Sequence, residues 1–96
     1  MTSLELLQHK WSDILRIAAK HGAYNIRVFG SVVRGDAGVD SDIDFLIDKG
    51  PKTTSWFPAG LILDLEEILG RKVDIVTEAV LYPALRNIVL QEAVPL

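Results

Sequence analysis

The chain has 96 residues, 49% of them hydrophobic, and its 10 Lys and Arg against 13 Asp and Glu give a formal charge of −3. Such a length holds one core and reads as a single domain over residues 1–96, and the hydrophobic content excludes a disordered chain. The lack of cysteine excludes a disulfide scaffold or a thiolate metal site. No apolar run approaches the ~20 residues that span a bilayer and no signal peptide opens the sequence, so no membrane association and a cytoplasmic location are expected.

Thr2-Ser3-Leu4-Glu5 is a capping box. Apolar residues follow at Leu4, Leu7, Trp11, Ile14, Leu15 and Ala18 with helical spacing, so an amphipathic helix is expected over 3–21, closed by Gly22. Residues 25–29 form a short strand ending at Gly30-Ser31, with a brief helical segment through Arg34 and a loop over 35–41. A second strand is expected over 42–47, with Ile43, Phe45 and Ile47 on one face and Asp42, Asp44 and Leu46 on the other. A second helix should run from Trp56 or Phe57 to Gly70, with Pro58 in its first turn. A third strand over 71–77 follows, and Pro83 opens a last helix whose Leu85, Ile88 and Val89 are spaced for core packing. The order α-β-(α)-β-α-β-α implies an α+β or mixed α/β fold, a small mixed sheet covered by helices.

The charge is unevenly distributed. Asp36, Asp40, Asp42, Asp44 and Asp48 lie in one stretch without a basic residue, and the remainder of the chain is slightly basic. Asp42 and Asp44 project from the same side of one strand, where two carboxylates repel unless a cation joins them. Hard oxygen donors suit Mg²⁺ or Mn²⁺; an acidic, solvated strand end is the other reading of the same residues. Asp36, Asp40 and Asp48 are expected to stay solvated. Asp74, isolated among Val73, Ile75 and Val76, needs either a salt bridge to Arg71 or Arg27 or a place beside the other two aspartates. The Gly30-Ser31 turn can direct backbone N–H groups and a hydroxyl at a phosphate, with Arg34 one turn on, or it can be an ordinary strand-to-helix turn. A P-loop is excluded because Asp36-Ala37 stands where Lys-Ser/Thr is required. An EF-hand opening at Asp40 is excluded by Phe45 and Pro51 at the glycine and glutamate positions. His9 and His21 have no zinc-ligand partners; His9 is expected to face solvent and His21 to sit at a helix C-terminus, where its charge suits the dipole. Trp11 is assigned to the core.

Gly30-Ser31-x-x-Arg34-Gly35, then Ser41-Asp42-Ile43-Asp44, then the lone Asp74 together resemble the polymerase-β-like nucleotidyltransferase superfamily. More narrowly, the chain is similar to the minimal nucleotidyltransferases, antitoxins paired with HEPN-domain toxins. The resemblance extends to the ending with Leu85, Arg86, Ile88, Glu92 and Ala93; Val33 departs from the small residue common there. It implies that Gly30 and Ser31 hold the β- and γ-phosphates of a nucleoside triphosphate. Asp42 and Asp44 would bridge two Mg²⁺ ions, and Asp74 would complete the site and serve as general base. The implied activity moves AMP from ATP to a hydroxyl, such as a tyrosine of the HEPN toxin, without direct nucleic-acid binding. A non-catalytic module that masks its partner and a small-molecule nucleotidyltransferase, in a homo- or hetero-oligomer, are the alternatives.

Overall fold

In the computed structural model, which describes residues 2–36, 38 and 41–95, the elements follow the sequence pattern closely. Helices α1 (Ser3–His9) and α2 (Trp11–Lys20) lead into β1 (Ala23–Phe29), the single-turn α3 (Ser31–Arg34) and β2 (Ile43–Lys49). Then come α4 (Ala59–Leu69), β3 (Val73–Val76), a 3₁₀ turn (Glu78–Val80), α5 (Pro83–Glu92) and β4 (Val94–Pro95). The sheet order is β3-β2-β1-β4. β1 runs antiparallel to both β2 and β4, whereas β2 and β3 are parallel and joined through α4.

The capping box forms as expected: Glu5 N–H donates to Thr2 Oγ1 at 3.1 Å, and Thr2 N–H donates to Glu5 Oε1 at 3.2 Å. The single helix expected over 3–21 is divided at Lys10, whose dihedrals (φ −95°, ψ 7°) leave the α region. Hydrogen bonds on either side of Lys10 continue the ladder, from Lys10 N–H to Leu6 O and from Ile14 N–H to Lys10 O. The break is therefore a bend within one apolar stripe. α4 starts at Ala59, later than its periodicity suggests, because Trp56 takes a left-handed φ of 63° that a helix cannot include.

Leu7, Ile14, Ile43, Phe45, Ile47, Leu61 and Leu65 form the centre of one core, built from α1, α2, α4 and one face of the sheet. Trp11 and Phe57 pack partly buried on its edge. Leu46, on the opposite face of β2, is fully buried outside that cluster, on the strand that meets the 3₁₀ turn. The expectation that α5 contributes to the core is not met. Leu85 is 50% exposed, Ile88 is 57% exposed and Val89 is half-buried. The spacing of an apolar stripe marks a face to be covered, and here α1, α2 and α4 already cover the core side of the sheet.

His21 stands at a helix C-terminus, as expected. It caps α2, but its ring is buried, with Nδ1 2.6 Å from Thr54 Oγ1 and Nε2 2.7 Å from Asp64 Oδ2. The imidazole thereby ties the end of α2 to α4 and to the loop before it. His9 is exposed, as expected. No described helix is long and apolar enough to cross a membrane.

Candidate active site

The strand register determines which acidic side chains meet. Asp42 immediately precedes β2 and Asp44 is its second residue, so both lie on the face opposite Ile43 and Phe45. The parallel ladder pairs Ile43 with Val73 and Asp44 with Asp74. In-register neighbours on adjacent strands share a face, which sets Asp74 beside Asp44. On the other flank of β2, Asp44 pairs with Phe29, the last residue of β1, and Gly30 follows at once. Gly30 has φ 78° and ψ −151°, and a Cβ built on it would lie 2.5 Å from Asp44 Oδ2. The glycine therefore lets the turn backbone approach the carboxylate. Ser31 opens α3, whose first N–H groups have no intrahelical acceptor.

Arg34 closes α3. Its Nη1 donates to Glu92 Oε1 at 2.9 Å, and its Nε reaches Asp36 Oδ2 at 3.5 Å. Asp74 takes neither of the salt bridges open to it in the sequence. Arg71 donates instead to Ser3 Oγ and to the carbonyls of Gly38 and Ser41, and Arg27 pairs with Asp48 and Glu78. Asp48 is thus ion-paired on β2 and also accepts from Asn25, so the expectation that it stays solvated is corrected. Asp36 is exposed, and Asp40 lies outside the described residues.

No ion pair among the described residues involves Asp42, Asp44 or Asp74. Partial burial, then the charges of Asp74 and Asp42, push the Asp44 carboxyl above its ordinary range; Arg34 opposes this and Glu92 adds to it. Among the described residues no three His, Cys, Asp or Glu side chains form a ready-made metal cage. What exists is a row of hard oxygen donors on one sheet face, with a raised carboxyl at its centre and a glycine turn against it.

Two residues near this row take roles that the sequence did not assign to them. Arg71 fixes the loop before Asp42 through two carbonyls at 2.7 Å, reinforcing the reciprocal bonds between Gly38 and Ser41. Glu92, at the far end of α5, bonds Arg34 and adds its charge to the field at Asp44. A basic residue two positions before β3 and an acid in the C-terminal pattern were visible, but nothing local said where they would point.

Comparison with known proteins places these features in a family. Residues 8–96 match the nucleotidyltransferase domain model. A protein of Methanocaldococcus jannaschii, provisionally named a protein adenylyltransferase, is 37% identical over 84% of this chain and 87% of its own. The protein adenylyltransferase MntA of Thermococcus cleftensis is 39% identical over 78% of this chain and 76% of its own. A solved structure, provisionally described as a minimal nucleotidyltransferase, superimposes with a TM-score of 0.85 at 47% identity, covering 100% of this chain and 97% of that one. A toxin–antitoxin crystal structure with AMP-PNP shares the fold at 22% identity and a TM-score of 0.71, covering 92% of this chain and 70% of that one. With an acidic row and glycine turn on a matching fold, the chain belongs to the nucleotidyltransferase domain family and is similar throughout to a minimal nucleotidyltransferase.

Proposed function

We propose that this protein is a Mg²⁺-dependent adenylyltransferase that moves AMP from ATP to a hydroxyl, such as a tyrosine, of a HEPN-type toxin, acting as its antitoxin. The observation that carries this reading is the in-register pairing of Asp44 with Asp74, with Gly30 packed against the Asp44 carboxylate. The names of the adenylyltransferase relatives and the toxin–antitoxin neighbour support the choice of donor and partner.

Asp42, Asp44 and Asp74 are the residues that would hold divalent cations, two in this reading. Carboxylate oxygens are hard donors that suit Mg²⁺, which is usually bound by one or two carboxylates together with substrate phosphates. When bound, the cations neutralise charge on the attacking oxygen and on the departing pyrophosphate. Gly30 and Ser31 present N–H groups and a hydroxyl to the β- and γ-phosphates, and Arg34 adds a positive charge beside them. The acceptor oxygen attacks the α-phosphorus; the new O–P bond forms as the bond to pyrophosphate breaks. Asp74, exposed at the row's end, takes the hydroxyl proton in this reading.

The test is incubation with α-labelled ATP, Mg²⁺ and a neighbouring HEPN-domain protein as the toxin. Label on the toxin is expected; none, with both proteins folded, rejects the reading. The exposed Val80, Tyr82, Leu85 and Ile88 favour a second reading, in which the protein neutralises a partner by covering it. Asp42→Asn with Asp44→Asn separates the two, since masking survives the change and transfer does not.

A further inference from the structure

The Arg34–Glu92 pair joins the turn at the start of the site to the C-terminal end of the chain, 58 residues away in sequence. Glu92 is the last residue of α5, and Ala93 N–H closes the helix on Val89 O. Directly beyond it, Val94 and Pro95 pair with Val28 and Arg27 of β1, the strand that runs into Gly30. The acid is therefore anchored to the same strand that delivers the turn. The Glu92 side chain is 20% exposed against 53% for Arg34, so the acid is the more enclosed partner of a pair that solvent still screens. The second contact of Arg34, to exposed Asp36, is long at 3.5 Å. Among the described residues these two contacts engage Nη1 and Nε and leave Nη2 unengaged.

We infer that Glu92 is a positioning residue, whose carboxylate fixes the Arg34 guanidinium beside the Gly30-Ser31 turn so that Nη2 is presented to the triphosphate. This rests on the nucleotidyltransferase reading above. An arginine on a single-turn helix otherwise spends its rotamer freedom when it binds phosphate; holding one edge in advance removes part of that cost. The pair also neutralises Glu92, whose bare charge would repel the ligand. β4 thereby acquires a role beyond closing the sheet edge, since it pins α5 where Glu92 can reach.

The experiment measures binding of Mg-ATP and of AMP by calorimetry for the wild type, Glu92→Gln, Arg34→Ala and the double variant. The order of Arg34 Nε–H is read by ¹⁵N heteronuclear NOE. Glu92→Gln is expected to weaken ATP binding about tenfold, which is about 1.4 kcal/mol, while AMP binding stays unchanged. The double variant should bind no worse than Arg34→Ala alone, because the acid acts only through the arginine. In the wild type, Arg34 should be more ordered than the exposed Arg16, and Glu92→Gln should bring it to that level. Unchanged or tighter ATP binding by Glu92→Gln, additive losses in the double variant, or a wild-type Arg34 as mobile as Arg16 each overturn the inference alone. A wild type that binds no ATP overturns the nucleotidyltransferase reading and this inference with it. Equal losses for ATP and AMP would show a merely structural contact and also overturn it.

Discussion

Replacing Gly30 with alanine tests the contact on which the site is built. Two costs arise together. At φ 78° and ψ −151° the backbone occupies a region nearly restricted to glycine, and a side chain there costs about 1–3 kcal/mol. The added Cβ would also lie 2.5 Å from Asp44 Oδ2, and displacing a packed neighbour adds about 1–3 kcal/mol. Stiffening the unfolded chain returns about 0.4–1 kcal/mol. The expected net loss spans about 1–6 kcal/mol and centres on ~3 kcal/mol, which lowers Tm by roughly 15 °C in a domain of this size. Gly35→Ala is the comparison: at φ 81° and ψ 11° it lies in the milder left-handed helical region, and a Cβ there meets nothing within 4 Å, so a loss of about 1 kcal/mol is expected. Asp44→Ala in the Gly30→Ala background removes the obstructing oxygen and should restore about 1 kcal/mol or more as a coupling energy. Thermal and urea melts of the five proteins give every quantity needed. Equal melting of Gly30→Ala and Gly35→Ala, or strict additivity with Asp44→Ala, would refute the claim that the turn and the carboxylate are in contact.

Asp44→Asn should abolish label transfer to the toxin. It should melt no lower than the wild type without divalent ions, since its charge is held unfavourably beside Asp74 and Asp42. Mg²⁺ should raise the Tm of the wild type and not of the Asp42→Asn, Asp44→Asn double variant, as followed by differential scanning fluorimetry. His21→Ala leaves Thr54 and Asp64 without their buried partner and is expected to cost about 1–3 kcal/mol by urea denaturation. The hydrogen bond from His21 and the nearby Lys20 hold the Asp64 carboxyl below its ordinary range. Its stabilisation is therefore present above the usual carboxylate pKa of about 3.9 and lost as pH falls toward the depressed folded value. The gap in stability between wild type and Asp64→Asn should accordingly narrow between pH 7 and pH 3; a constant gap would reject the link. Leu85→Ser with Ile88→Ser should change stability by less than about 0.5 kcal/mol, because both side chains are already exposed. A large loss in melting temperature would show that α5 belongs to the core after all.

Local chemistry written into short stretches of sequence carried through to the structure. The Thr2/Glu5 capping box, the stripe from Leu7 to Ile14, the glycine turn after β1 and the two-residue spacing of Asp42 and Asp44 each depend on neighbours a few positions away. Their geometry follows from helix and strand periodicity alone. The family pattern was legible for the same reason, since its motifs are short and ordered along the chain.

What depended on distant partners was open in the sequence. Asp74 had the same choice of companions whether it met Arg71, Arg27 or Asp44; only the parallel register of β2 and β3 resolved it. The apolar spacing of α5 looked like core because periodicity marks a face without saying what covers it. His21 became a buried tie, Arg71 a brace for the loop before Asp42, and Glu92 a partner for Arg34 through pairings that span 30 or more residues. Periodicity fixes which way a side chain faces on its own element, but packing of one element on another decides what it meets. The acidic excess shows both sides: its carboxylates and their spacing are properties of the sequence, while the meeting of Asp44 with Asp74 and Gly30 belongs to the tertiary structure.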